Sequence, residues 1–333
     1  MTIKITIVGL GQIGASIGLA LAKHQDMFER VGHDRDLGTA RRAQQMGAVD
    51  KVSINLPSAV RKADVVILSL PMDQIQETIS IIAPELKEEA VLLDTAPVKE
   101  IVNTWAETSL PERRHYVGLT PVLNPAYLHG VESGLDAAQA DLFHKGMLAI
   151  VAPPRSASEA IKLGADLARL LGAEPIFIDP VEVDSLMAAT HTVPELVSAA
   201  LLNATIDQPG WREGRKLAGR VYAEVTSPSM NMSDPKALSR TALLNRENVL
   251  RRIDSLMAAL QDIRDDIAAE DGAALDERLG RARDGRILWW HQRQAANWLG
   301  EEMSSVYAET PTSSDIFGRM LGFGRRRKPK SGK

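Results

Sequence analysis

Ile3-Lys4-Ile5-Thr6-Ile7-Val8, then Gly9-Leu10-Gly11-Gln12-Ile13-Gly14, then Ala15 to Lys23: this stretch decides the fold. A β-branched run reads as a buried strand, and the glycines sit where that strand turns into a helix. Gly9 permits the tight turn, Gly11 lets a pyrophosphate approach bare backbone, and Gly14 lets the helix pack on the strand. The helix then presents its free N–H groups and the positive end of its dipole to the phosphates. Asp34 lies about twenty residues on, after the short strand Arg30-Val31-Gly32-His33, where the ribose-binding carboxylate of a dinucleotide site belongs. Strand, glycine turn, apolar helix and spaced acid together predict that a nicotinamide or flavin dinucleotide binds here.

Working outward, Leu37 to Met46 reads as a helix stopped by Gly47. Val49 to Ile54 is a short extended piece and Pro57 to Lys62 a helical turn. Ala63-Asp64-Val65-Val66-Ile67-Leu68-Ser69-Leu70-Pro71 is a continuous apolar strand of the kind buried on both faces of a parallel sheet. Leu70 and Pro71 end it on the ligand side, because ligands lie beyond the carboxyl ends of such strands. A helix follows from Asp73 to Ile82, then the strand Ala90 to Asp94, then a helix to Trp105. Strands at Tyr116–Leu119, Met147–Val151 and Pro175–Ile178, with a helix from Ser156 to Leu171, complete an α/β alternation. That alternation predicts a Rossmann-type doubly wound parallel sheet over residues 1–179.

Beyond Asp179-Pro180 the strand signals stop. Val181 to Thr205 reads as one long helix carrying His191 and Pro194. Ser233-Asp234-Pro235 caps another, whose apolar positions Val249, Ile253, Leu256, Leu260, Ile263 and Ile267 form a heptad seam. Gly272 breaks it, and Leu275 to Leu299 is a further helix ending in Trp289, Trp290 and Trp298. We therefore expect an all-helical domain over 180–308 that covers the sheet, forms a homodimer, or both, with a monomeric bundle as the alternative.

The 333 residues leave room for two cores; 44% are hydrophobic and 25% charged, ordinary for a globular protein. No apolar run is long enough to span a membrane, and the start enters strand one directly, so neither a span nor a leader is expected. The chain has no cysteine, which removes disulfides, thiolate metal sites and a cysteine nucleophile. No metal cluster is expected, and a cytoplasmic protein is the simplest reading. Seven basic residues and no acid lie from Arg319 onward, which leaves about −11 on the rest of a chain whose net charge is −4. An acidic body argues against a nucleic-acid partner. Residues 309–333 read as a basic, disordered tail.

These residues resemble the prephenate and arogenate dehydrogenases of tyrosine biosynthesis over roughly Ile3 to Arg286. The resemblance rests on Gly9 to Ser16, on Gly32-His33-Asp34-Arg35, on Ala63 to Pro71 and on Leu93-Asp94-Thr95-Ala96-Pro97-Val98-Lys99. It continues in Glu132-Ser133-Gly134, Ala137 to Phe143, Thr190-His191 and Ser233-Asp234-Pro235. It implies an N-terminal Rossmann domain, a helical dimerisation domain, and oxidative decarboxylation of a small carboxylic acid with NAD, NADP being possible. In that chemistry a histidine accepts the substrate's hydroxyl proton and an arginine holds a carboxylate. The chain departs from the family at those places. Gly-Ser-Val-Lys appears as Ala96-Pro97-Val98-Lys99, and His-Pro as Thr120-Pro121, or as Asn124-Pro125 if the loop is longer. The expected arginine falls on Ser229 and its aspartate on Thr226; His191 is retained.

The catalytic candidates are therefore His191, Thr120, Glu132 and His129, the last in a loop that looks longer than the family's. For each histidine the alternative is structural: a core side chain for His191, a solvated loop for His129. The cofactor contacts expected are Gly9, Gly11, Gln12, Ile13, Gly14, Asp34, Arg35, Leu70, Pro71 and Asp94. Asp34 favours NAD, because a carboxylate there pairs with two ribose hydroxyls and repels a 2′-phosphate. A family member with a changed substrate and a silent dinucleotide-binding dimer are the alternative functions.

Overall fold

The computed structural model describes residues 2–130, 132–153, 156–230, 234–296 and 311–322. The chain divides into two compact units, Met1–Pro180 with Ala296–Lys333, and Val181–Ala295.

The first unit is built on one eight-stranded sheet of order β3-β2-β1-β4-β5-β6-β7-β8. Its strands are β1 (Ile3–Val8), β2 (Phe28–His33), β3 (Lys51–Val52), β4 (Val65–Leu68), β5 (Val91–Asp94), β6 (His115–Val122), β7 (Met147–Val151) and β8 (Glu174–Phe177). Between them run α1 (Gln12–Leu21), α2 (Leu37–Gln45), α3 (Leu56–Val60), α4 (Met72–Ile82), α5 (Glu100–Ser109) and α6 (Ser158–Leu170). Every residue of β4 and of β5 is buried, as expected of strands covered by helices on both faces. Ile5, Ile7, Ile67, Leu93, Val117 and Leu119 belong to one continuous core.

The sheet is not wholly parallel as the α/β alternation predicts. β6 and β7 pair antiparallel, with Thr120 opposite Ala149, while β7 and β8 are again parallel to each other. The cause is the connection. No α-helix lies among the described residues between Val122 and Met147, so the chain turns at the ligand end of the sheet and runs straight back.

A buried guanidinium ties the β2 side of this unit together. Arg30, 4% exposed, donates to Asp50 through Nη2 at 2.5 Å and through Nη1 to the carbonyls of Gly18 and Gly47, at 2.7 and 2.9 Å. Burial pushes the Asp50 carboxyl up, but the Arg30 hydrogen bonds outweigh it and hold the group below the ordinary carboxylate value. A depressed acid contributes stability above its unfolded pKa, about 3.9, and that stability is lost as pH falls through the lower folded value. Arg30→Met is therefore expected to cost about 2 kcal/mol at neutral pH, discounted for the partial exposure of Asp50. In urea unfolding the gap from wild type should narrow in acid; a gap independent of pH contradicts the pair's role.

The second unit is helical: α7 (Pro180–Met187), α8 (Val193–Ile206), α9 (Trp211–Leu217), α10 (Arg220–Met230), α11 (Pro235–Leu244), α12 (Arg246–Ala268) and α13 (Gly272–Ala295). The helix expected from Val181 to Thr205 is interrupted by a π-turn, Ala188–Thr192, in which the N–H of Val193 reaches the carbonyl of Ala188. Pro194 explains it, because proline lacks an N–H and its ring crowds the carbonyl four residues back, which a wider turn relieves. The helix expected to run from Ser233-Asp234-Pro235 to Ile267 is broken at Asn245, whose buried side chain donates to Asp184 O at 2.7 Å. Asp234 is the cap, its carboxylate accepting from Lys236 N; Ser233 lies outside the described residues. The α12 helix ends on Glu270 in the left-handed region (φ 52°), so Gly272 opens α13 rather than breaking α12. Leu299 and Trp298 lie outside the described residues.

The basic end also differs from expectation. Ser313–Gly322 is a helix, α14, not a disordered tail; it packs against α6, with Ile316 buried and Arg319 paired with the buried Asp166. The buried carboxylate on α6 has a cation on each side: Arg169, one turn on, donates to Oδ1 at 3.0 Å, and Arg319 lies at Oδ2. The run from Arg325 to Lys333 lies outside the described residues.

Candidate functional site

The carboxyl ends of β1, β4, β5 and β6 lie along one edge of the sheet, where a doubly wound fold places its ligand. Gly9 has φ 90°, and a Cβ there would stand 2.2 Å from Ser69 O. A Cβ on Gly14 would stand 1.9 Å from Gly9 O. Both positions therefore need glycine to keep the turn against β4 and the helix against the turn. Gly11 differs: nothing lies within 4 Å of the space a Cβ would take, so its backbone faces open room. It is also the N-cap of α1 and supplies no side-chain cap, so the first-turn N–H groups of Gln12 and Ile13 stand ready for an anion.

Asp34 is half-buried and fixed from two sides: the N–H of Leu10 donates to Oδ2 at 2.8 Å and that of Asp36 to Oδ1 at 2.9 Å. The Asp34 carboxylate is thereby locked to the glycine turn. Arg35 beside it is exposed. Leu70 lies against Gly9, its Cδ2 2.9 Å from where a Cβ would be, and Pro71 is the exposed N-cap residue of α4. The glycine turn, an open backbone edge and a pinned acid fit a dinucleotide.

Asp94 does not serve as expected. Its side chain is fully buried, with Lys99 Nζ donating to Oδ1 at 2.8 Å, Ala96 N to Oδ1 at 2.8 Å and Tyr116 OH to Oδ2 at 2.6 Å. A carboxylate so occupied anchors the turn after β5 and does not face a ligand. Lys99, open to a solvated reading from its place at a helix start, is fully buried beside it. Gly118 makes room: a Cβ there would meet Lys99 Cδ at 2.9 Å.

Thr120 stands two residues past Gly118 on the same side of β6. It is 6% exposed, and its hydroxyl has no hydrogen-bond partner among the described residues. Asn124 is a loop residue of structural use: its N–H donates to Leu142 O at 2.7 Å, its Nδ2 to Asp141 O at 3.2 Å, and its Oδ1 accepts from Ala126 N. His129 and Glu132 lie on the exposed part of the same loop. The loop's far side docks on α1, with Gln139 N donating to Ser16 Oγ at 2.9 Å and Gln12 Nε2 reaching Ala137 O at 3.4 Å. The block from Glu132 to Phe143 is thus a wall laid against the cofactor helix.

His191 belongs to the second unit, in the π-turn. The residue is exposed at the surface of this unit, and the protein packed around its ring holds the imidazole below its ordinary value by desolvation. The same loss of hydration pushes up the carboxyl of Glu195, four residues on. Ser229, where the family's arginine is expected, shares a 2.7 Å hydrogen bond with the buried Ser198, and Thr226 donates to Tyr222 O. Ser229 thus ties α10 to α8, while the Thr226 hydroxyl is taken up by the backbone of its own helix.

Two family models match the chain: "Prephenate dehydrogenase, nucleotide-binding domain" over residues 17–176 and "Prephenate dehydrogenase, dimerization domain" over 179–281. The chain belongs to the prephenate dehydrogenase family. Its members are NAD(P)-dependent dehydrogenases of tyrosine biosynthesis. A prephenate dehydrogenase of Bacillus subtilis is 26% identical over 85% of this chain and 75% of its own length. A cyclohexadienyl dehydrogenase of Zymomonas mobilis is 25% identical over 85% of this chain and 94% of its own. Among solved structures, prephenate dehydrogenase from A. aeolicus, in complex with hydroxyphenyl propionate and NAD+, superposes with a TM-score of 0.75 at 22% identity, covering 86% of this chain and 98% of that one. Among the described residues no helix is long and apolar enough to cross a membrane.

Proposed function

We propose that the chain carries out the oxidative decarboxylation of prephenate or arogenate with NAD. The observation that carries the proposal is the open Gly11 edge with its pinned Asp34, in a chain whose two halves both match the family. Bound nicotinamide supplies the acceptor for the hydride that leaves the substrate ring. Gly11, Gln12, Ile13 and Gly14 offer backbone N–H groups to the pyrophosphate. Asp34, already held by Leu10 and Asp36, keeps lone pairs for the ribose hydroxyls and repels a 2′-phosphate, which favours NAD over NADP.

His191 is the candidate base. Its lowered pKa leaves it neutral at physiological pH and able to take the hydroxyl proton. Dependence on that base makes kcat/KM fall as pH drops through a value below the ordinary 6.5 of histidine. Thr120, His129 and Glu132 stand on or beyond the ligand edge of β6 as the further catalytic candidates; Thr120 and His129 can donate to the acid's carboxylates, whereas the Glu132 carboxylate can only accept, as from the substrate hydroxyl. The second unit, as a dimerisation domain, pairs two copies of the chain; Val221, Met230, Met257 and Leu288 are each more than half exposed, apolar surface that a second copy can cover. A cysteine-free biosynthetic enzyme has no need of an oxidising compartment, which supports a cytoplasmic setting.

Thr120→Val tests the site without disturbing its shape. A buried hydroxyl with no internal partner is a cost to the free protein, so removing it should leave stability unchanged or raise it by up to about 1 kcal/mol. If the hydroxyl serves the substrate, kcat/KM for the acid falls about tenfold while NAD affinity holds. Unchanged kcat/KM removes Thr120 from the site.

A further inference from the structure

The geometry points to Tyr127, Asp141 and Ser16 as positioning residues that latch the loop between β6 and β7 onto the dinucleotide-binding helix, holding its exposed end in place for the acid substrate. The inference rests on the reading of the ligand edge given above. At the neck of the loop, Asn124 N and Nδ2 close onto the carbonyls of Leu142 and Asp141, and Tyr127 OH donates to Asp141 Oδ1 at 2.6 Å. That bond, with burial, raises the Tyr127 hydroxyl above its ordinary value, so it remains a donor throughout the physiological range.

Ser16 makes the second anchor. The other buried residues of α1 are glycine, alanine, isoleucine and leucine, and a serine with no exposed surface among them needs a use for its hydroxyl. Its use is to accept from Gln139 N at 2.9 Å. Ser16 sits two residues after Gly14, so the loop is fastened to the element that carries the pyrophosphate N–H groups. Beneath this anchor Leu135, Ala138, Leu142 and Phe143 enter the main core. The neck and far side are thus fixed, while the stretch bearing His129 and Glu132 stays exposed. An element anchored this way transmits the position of the cofactor helix to the substrate-facing end of the loop.

The test uses the full chain with Ser16→Ala, Tyr127→Phe, Asp141→Ala and, as the conservative control, Asp141→Asn, which keeps an oxygen to accept from Tyr127. Steady-state kinetics with prephenate and arogenate are combined with titration of NAD and hydrogen exchange of the segment 135–143 with and without NAD. The first three variants are expected to raise KM for the acid about tenfold, to leave NAD affinity within twofold, and to lose the exchange protection that NAD confers on 135–143. Asp141→Asn is expected to behave as wild type. A purely structural role predicts a different split, with kcat and NAD affinity falling and KM rising together. KM and exchange equal to wild type in Ser16→Ala and Tyr127→Phe overturn the proposal. If wild type oxidises neither acid, the functional reading fails, and the exchange comparison alone still decides the latch: protection lost in the variants supports it, protection kept overturns it.

Discussion

Lys99→Met is expected to cost about 3–5 kcal/mol, a large share of the roughly 5–15 kcal/mol that holds a domain folded. Lys99 and Asp94 are both fully buried, and the ammonium is the cation beside Asp94. Its removal leaves a carboxylate in the interior with hydrogen bonds from Tyr116 and Ala96 but no opposite charge, far costlier than losing one contact. The double variant Lys99→Met with Asp94→Asn is expected to regain part of the loss, because the buried charge is gone. Gly118→Ala attacks the same cluster from above, since its Cβ would come within 2.9 Å of Lys99 Cδ and 3.1 Å of Tyr116 OH. Denaturant unfolding of the full chain reads all three. A loss below about 1 kcal/mol for Lys99→Met shows that the cluster is solvated and that Asp94 is not held as described.

The second large effect separates two glycines that look alike in the sequence. Gly14→Ala places a Cβ 1.9 Å from Gly9 O, so the turn or the helix must move, and both stability and NAD affinity are expected to fall. Gly11→Ala places its Cβ in open space. The free protein should unfold at the wild-type denaturant concentration, while NAD affinity drops at least tenfold, because the methyl occupies the approach of the pyrophosphate. Calorimetric titration with NAD beside denaturant unfolding distinguishes the pair. Equal stability and undiminished NAD affinity in Gly11→Ala place the pyrophosphate elsewhere.

The contrast shows what was legible in the sequence. The glycine turn, the apolar strands and Asp34 follow from local chemistry: a positive φ, a close approach, a strand buried on both faces. Each depends on residues near in the chain, and each is where pattern and spacing place it. Asp94 was misassigned because its fate is settled by Lys99 and by Tyr116, twenty-two residues away on a neighbouring strand, whose hydroxyl no spacing reveals. Thr120-Pro121 and Asn124-Pro125 are equivalent as dipeptides; only the loop closure onto Leu142 and Asp141 makes one structural and leaves the other a buried hydroxyl at the ligand edge.

The remaining differences have the same origin. The reversal of β7 needs knowledge that the β6–β7 connection carries no crossover helix, although the missing helical period there was a usable signal. The break at Asn245 is made by a carbonyl sixty-one residues earlier, Asp184 O. The terminal helix meets α6 at Asp166, whose local partner Arg169 already accounts for a buried acid, so nothing near in the chain announces Arg319. Pro194 was visible from the start, but that its missing N–H is absorbed by a π-turn at Ala188–Thr192 rather than by a kink or a break is a choice the dipeptide pattern does not show.

The central claim is that this chain, despite lacking the family's usual serine, loop histidine and arginine, oxidises and decarboxylates a cyclic acid with NAD. Its most direct test is a spectrophotometric assay for reduced nicotinamide with purified protein, NAD and either prephenate or arogenate, with released carbon dioxide measured alongside. The account predicts reduced nicotinamide and carbon dioxide in equal amounts with at least one of the two acids. Protein that binds NAD yet yields neither product with either acid contradicts it.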